Sequence, residues 1–389
     1  MLAAALCLGA LANDASALDV RAAVLRIDYP RLAPNSRYER VPEDDGFAGA
    51  QLADEDNGTT GTFLGHTYET ATVAVPPEEA DAALAEILAG GTRFIVLMAA
   101  DEDVPRLADA AAAEGAVVLN ALARGTELRD GECRANMLHI APSNAMTADA
   151  VAQFALWKRW PRWFMVHGSN PEDRKLAEAY RRAATKFGGR IVEEREFEDT
   201  GGSRRTDTGY VLVQRQLPVF TQDPEEHEVV IAADNSDVFA PYLPFNLWTP
   251  RPTMGSAGLR PVSFHGAHEA WGATQFQRRF EELTGRYIRE SDYQVWLALR
   301  VLGEAVTRAS TIEPQAILDY ALSDEFELAA FKGVPVTFRP WNGQLRQPIL
   351  LYDGRITVSV SPQDGFLHQV SPLDTLGLDA PESSCSAFD

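Results

Sequence analysis

Three consecutive carboxylates, Asp101, Glu102 and Asp103, follow the apolar run Phe94 to Met98 and precede Val104-Pro105. Acidic residues between a strand and a helix can cap the helix, and Asp103 before Val104-Pro105 fits that role. In an α/β lobe the same position opens on a crevice, where carboxylates repel anions and suit a cation, a metal or a hydroxyl-rich solute. With Ala100 they make one candidate ligand-binding loop. The other candidates stand where further strands end: Asn120 in Asn120 to Arg124, His167 in His167 to Asn170, and Asp234 with Asn235 in Asp234 to Asp237. His265 joins them through the pattern His265-x-x-His268-Glu269. This is not the H-E-x-x-H zinc helix, and Gly266 and Gly272 disfavour a helix there, so a polar turn at a cleft is expected rather than a metal site.

Recognised catalytic spacing is absent. There is no G-x-x-x-x-G-K-[ST] phosphate loop, no G-x-G-x-x-G dinucleotide turn and no G-x-S-x-G nucleophile elbow. Asp54 to Gly58 lacks the D-x-D-x-D-G order of a calcium loop. An enzyme is not expected, no cofactor is called for, and no metal ligand set is assigned. The formal net charge of −21 argues against nucleic acid as a partner.

The elements that must position these residues alternate. Strands are expected at Val20 to Ile27, His66 to Val75, Phe94 to Met98 and Val117 to Asn120. Helices fall between them, the first running from Gly46 to a stop at Asn57-Gly58. The same alternation restarts after His139 to Ser143, with Ser143 as a cap, a strand at Trp163 to His167, and a helix from Pro171 closed by Gly188-Gly189. Strands follow at Arg190 to Phe197, Val229 to Asp234 and Pro261 to Phe264. Two long helices come next, the second capped by Ser291, and then short strands joined by turns such as Asp353-Gly354. This grammar gives parallel sheets with helices on both faces, in two lobes joined by short crossings. Trp157, Trp160 and Trp163 are read as packing of a helix end on its lobe, or as a docking patch.

The apolar run Leu2 to Ala12 and the small residues Ala15-Ser16-Ala17 have the form of an export leader over residues 1–17, too short to span a bilayer. Cleavage there removes Cys7 and leaves Cys133 and Cys385 in an oxidising compartment. One disulfide is expected, two buried free thiols being the alternative.

Gly46-Phe47-Ala48-Gly49-Ala50-Gln51-Leu52-Ala53 resembles the first-helix motif of substrate-binding proteins of branched-chain amino acid ABC transporters, which have the periplasmic-binding-protein-like type I fold. Asp56-Asn57-Gly58-Thr59-Thr60-Gly61, Pro142-Ser143, Trp271-Gly272-Ala273-Thr274-Gln275, Phe331-Lys332-Gly333, Leu345-Arg346-Gln347-Pro348, Gly365-Phe366-Leu367-His368 and Glu382-Ser383-Ser384-Cys385 resemble, within that group, proteins that accompany pyrroloquinoline quinone (PQQ)-dependent alcohol oxidation. The resemblance implies two Rossmann-like, doubly wound lobes joined by a three-crossing hinge near His139, His265 and Trp341. Lobe one would hold residues 18–139 with 265–341, and lobe two 140–264 with 342–389. It also implies a periplasmic monomer that closes on a small solute and works with an ABC permease and ATPase, a ligand sensor on the same fold being the alternative. Amino acid binders of the group hold the α-carboxylate with Ser or Thr hydroxyls. Here the corresponding loops read Met98-Ala99-Ala100-Asp101-Glu102 and Asn120-Ala121-Leu122-Ala123, without a hydroxyl.

Overall fold

The structure, a computed structural model, describes residues 17–31, 34, 37, 40–199 and 212–389. Residues 1–16 of the expected leader, Cys7 among them, lie outside the described residues. No described helix is long and apolar enough to cross a membrane.

Lobe one opens with β1 (Asp19–Ile27), α1 (Phe47–Leu64), β2 (Thr67–Val75), α2 (Ala80–Ala89), β3 (Phe94–Met98), α3 (Val104–Ala113), β4 (Val117–Asn120) and β5 (Met137–His139). Their strands form one parallel sheet in the order β2-β1-β3-β4-β5. Every residue of β3 and β4 is buried, as expected of central parallel strands covered on both faces. Lobe two follows with α4 (Asn144–Trp157), β6 (Arg162–Gly168), α5 (Pro171–Phe187), β7 (Arg190–Phe197), α6 (Val213–Phe220), β8 (Val229–Ala233) and β9 (Thr253–Gly255), and its parallel sheet runs β7-β6-β8-β9. Next come β10 (Arg260–Val262), α7 (Ala273–Thr284), α8 (Glu290–Ala309), α9 (Pro314–Leu322), β11 (Thr337–Phe338), β12 (Leu345–Arg346), β13 (Ile349–Tyr352) and β14 (Thr357–Ser361). The helices α7, α8 and α9 return to the core of lobe one. Strands β10, β13 and β14 make an antiparallel sheet beside α4.

Local signals set most helix ends. Ser143 Oγ accepts the Met146 N–H at the start of α4, and Pro171 opens α5, which Gly188 closes at φ 84°. Three expectations change. Helix α1 runs through Asn57-Gly58 to Gly65 because α8 holds it: the Asn57 amide is buried and donates to the Leu299 carbonyl at 2.9 Å. Packing has overridden a local stop signal. Ser291 does not cap α8; it lies inside the helix and donates to Asp45, while Asp292 accepts the Arg289 N–H from the third helical position. Asp103 precedes α3 without capping it, its carboxylate being taken by Tyr29 Oη at 2.5 Å and by Arg106 at 2.6 Å.

The α1–α8 contact has little tolerance. A Cβ on Gly49 would lie 2.0 Å from the Asp292 carbonyl oxygen. Because that neighbour is backbone, Gly49→Ala is expected to push the helices apart and cost up to about 3 kcal/mol, measurable as a lower urea midpoint at unchanged slope.

Leu138 and Ile140, and later Phe264 to Leu345, contribute to the core of lobe one, while Met146 to Met254, and later Ile349 and Leu351, contribute to that of lobe two, so the chain passes between the lobes over residues 141–145, 255–263 and 346–348. Leu345 pairs with Phe338 and is buried in the core of lobe one. Buried side chains tie these passages to one another. Lys332 Nζ donates to the carbonyls of Ser263 and Pro348, Gln347 Nε2 to Ile140 O at 2.7 Å, and Gln344 Nε2 to His139 O at 3.1 Å.

The tail touches both lobes. Leu376 is buried in the core of lobe two, and Glu382 pairs with Arg182 and Lys186 of α5. Ser384 then bonds Asp130, and Cys385 forms a disulfide with Cys133, back on lobe one. The final residues therefore strap the two lobes together.

Candidate functional site

Two neighbouring cavities lie where the strand-end loops of both lobes meet the crossings. The smaller, about 160 Å³, is lined by Asn144, Tyr180, Asp234, Asn235 and Ser256 among others. The larger, about 1060 Å³, is lined by Leu122, Phe264, His265, Arg289, Glu290 and Tyr352 among others. Arg124, Arg260 and Val262 line both, so these residues form a shared wall.

Of the sequence candidates, Asp234, Asn235 and His265 reach these cavities. The Asp234 carboxylate is 3% exposed and turned inward, accepting the N–H groups of Val238 at 2.9 Å and of Phe239 and Ala240 at 2.6 Å each. Burial pushes its carboxyl up to about 6 against those three donors. Its main work is to fold the following loop, which leaves Asn235 exposed at the cavity. His265 stacks on Tyr352 with ring centroids 3.9 Å apart, and its Nε2 lies 2.9 Å from Thr357 Oγ1. Burial, and then the nearby His268 and Lys332, pull it down to about 4, so it is neutral at pH 7.

That depression has a sign. Between pH 6.5 and about 4 the unfolded chain takes up a proton at this position that the folded chain refuses, so stability falls as pH drops through that window. The urea midpoint is expected to be lower at pH 5 than at pH 7, and His265→Gln should narrow that difference; an unchanged difference would mean that the burial does not act on this ring.

The remaining candidates line neither cavity. Asp101 Oδ1 accepts the N–H groups of Arg124 at 2.8 Å and Gly125 at 2.9 Å. Its other oxygen faces Lys175 of α5 at 3.9 Å, and that ammonium also pairs with Glu127 at 2.9 Å and Glu172 at 3.1 Å. The Asp101 carboxylate thus positions the Arg124 backbone and makes a contact between the lobes. Ala100 donates its N–H to Tyr29 Oη at 2.9 Å, while Glu102 is exposed. Asn120 is wholly buried, its Oδ1 accepting the Leu122 and Ala123 N–H groups and its Nδ2 bonding Ala123 O and His139 Nδ1. It buttresses the loop that carries Arg124. His167 is buried against Gly168 O at 2.8 Å and Glu194 at 3.1 Å. No group of three or more His, Cys, Asp or Glu side chains that could hold a metal occurs among the described residues.

Sequence reasoning missed Glu290 and Arg260. Glu290 is the first residue of α8, and one of its oxygens holds Arg124 at 2.6 Å while the other accepts the Ser263 N–H at 2.6 Å and hydroxyl at 2.8 Å. These three groups, far apart in sequence, join a strand-end loop, a crossing and a helix start. No local spacing announces such a node.

Residues 42–207 match the family model for periplasmic binding protein. No curated protein matches the chain by sequence. Among solved structures, the leucine-, isoleucine-, valine-, threonine- and alanine-binding protein from Brucella ovis, in a closed conformation, is similar with a TM-score of 0.73 at 13% identity, covering 94% of this chain and 98% of that one. A branched chain amino acid ABC transporter periplasmic ligand-binding protein from Burkholderia xenovorans gives 0.70 at 16% identity, over 95% and 100% of the two chains. An ABC transporter solute binding protein from R. palustris, in complex with 4-hydroxybenzoate, gives 0.64 at 11%, over 86% and 92%. The chain as a whole thus has the two-lobed, type I periplasmic binding protein fold of these structures.

Proposed function

We propose that this chain is the solute-binding component of an ABC transport system, closing its lobes on a small polar ligand in the periplasm and presenting it to a permease and its ATPase. The observation that carries this reading is the pair of adjoining cavities between two α/β lobes, walled by strand-end loops and set beside the crossings. Ligands of open α/β sheets bind at such strand ends, and hinge crossings let one lobe close on the other. A branched-chain amino acid is not the proposed ligand, since the loops after β3 and β4 carry no hydroxyl and their polar side chains, Asp101 and Asn120, are committed to the protein's own backbone. The resemblance of the C-terminal motifs links the transport proposed here to PQQ-dependent alcohol oxidation.

A thermal-shift screen of the chain against amino acids, alcohols, organic acids and PQQ tests the reading, because a ligand specific to the folded state raises Tm. A hit is expected to shrink the radius of gyration in solution scattering as the lobes close. Catalytic turnover of a compound that leaves Tm unmoved would replace a binder with an enzyme.

A further inference from the structure

The chain carries 56 Asp plus Glu against 35 Lys plus Arg, yet the larger cavity reverses that balance. Its lining holds Arg31, Arg40, Arg124, Arg260, Arg286 and Arg289 against only Asp45, Glu269 and Glu290. Three of the guanidinium groups are answered within the protein: Arg124 by Glu290 at 2.6 Å, Arg286 by Asp292 at 2.7 Å and Asp44 at 2.9 Å, and Arg289 by Asp45 at 2.8 Å. Arg31, Arg40 and Arg260 have no carboxylate partner among the described residues. Arg260 instead lies 5.3 Å over the Tyr352 ring, which His265 stacks against. Like charges gathered on one concave wall raise its positive potential and favour an incoming anion. A guanidinium fork matches a carboxylate with two parallel hydrogen bonds.

The size and floor of the cavity narrow the class. At about 1060 Å³ it stands just above the roughly 300–1,000 Å³ usual for small-molecule sites. Its floor includes Val262, Phe264 and Ile288, which would cover carbon rather than oxygen. We propose that this cavity binds a small organic anion with two or more carboxylate groups, whose acidic groups are taken by Arg260, Arg40 and Arg31. This deepens the solute-binding reading above and rests on it.

Isothermal titration of the full chain with citrate, succinate, leucine, a neutral diol and inorganic phosphate tests it, together with the variant Arg40→Gln/Arg260→Gln. Both replaced side chains are exposed, so the variant should keep the wild-type Tm. A di- or tricarboxylate is expected to bind more tightly than leucine, the diol or phosphate. Its affinity should fall as salt is raised and drop by about tenfold or more in the double variant. Citrate or succinate bound equally well by the variant would overturn the proposal, as would phosphate as the sole ligand. Tighter binding of leucine or the diol, indifferent to the two arginines, would overturn the anion and leave the solute-binding reading standing. Binding of no probe, with none found in the wider thermal-shift screen, removes both.

Discussion

Replacing Cys133 and Cys385 together by serine is expected to lower the unfolding free energy by up to about 5.5 kcal/mol, the chain-entropy figure for a loop of this length. The two residues are 252 positions apart, so the bond closes almost the whole span of lobe one's second half and lobe two. Cross-links between distant residues remove the most freedom from the unfolded chain, although compact unfolded ensembles and a changed native state bring measured values below that ceiling. The check is the denaturant midpoint of the oxidised protein against the double serine variant and against protein held in reductant. A loss below about 1 kcal/mol in both comparisons would mean that the noncovalent contacts of the tail already provide the restraint.

Those contacts are the subject of the second large effect. Arg339 follows β11, is 1% exposed, and donates to Asp374 at 2.9 Å and to the carbonyls of Leu373 at 3.0 Å, Leu376 at 2.5 Å and Leu378 at 3.3 Å. Burial lowers the pKa of this guanidinium, while Asp374 counters the shift. Arg339→Met would leave three carbonyls without this donor and a buried carboxylate held only by Arg346 at 2.8 Å. Removing one member of a buried charge network costs about 3–5 kcal/mol, because the uncompensated partner stays behind. Urea unfolding monitored by tryptophan fluorescence would register the loss. Arg346→Met, at a side chain 12% exposed, should cost less. Equal costs for the two would show that the carbonyl bonds of Arg339 contribute little.

Much of the scaffold was readable because its signals are local. The apolar runs of β3 and β4, Ser143 as a cap, and Pro171 and Gly188 at the two ends of α5 each act within a few residues. The errors arose where distant contacts decide. Asn57-Gly58 reads as a helix stop, but α8 supplies a partner for the Asn57 amide and leaves room only for glycine opposite it, at Gly303. Ser291 and Asp103 have the residue types of caps, and tertiary partners took their side chains instead. The candidate site divides along the same line. Strand-end loops were found from topology, yet topology does not say which side chain turns outward. Asp101, Asn120 and Asp234 all turned toward neighbouring backbone N–H groups, whereas Arg124, only four residues past Asn120, points to the cavities. Arg260 and Glu290 come from β10 and α8, which meet only across the second crossing, beyond the reach of a short window of sequence.

The tail strap acts as a mechanical stop with two settings. Glu382 is held by α5 of lobe two, and Cys385, three residues later, is bonded to lobe one. A chain extends at most about 3.6 Å per residue, so while Glu382 keeps its ion pairs the anchors cannot move more than about 11 Å apart. If those partly exposed pairs and the His368–Asp379 pair release, the next holdfast is Gly377, whose N–H donates to Asp149 and whose carbonyl accepts from Arg182 and Lys186, and the reach grows to about 29 Å over eight residues. Acid strong enough to protonate Glu382, or salt enough to screen it, would therefore lengthen the leash without cutting it, and only reduction of the disulfide would let it go.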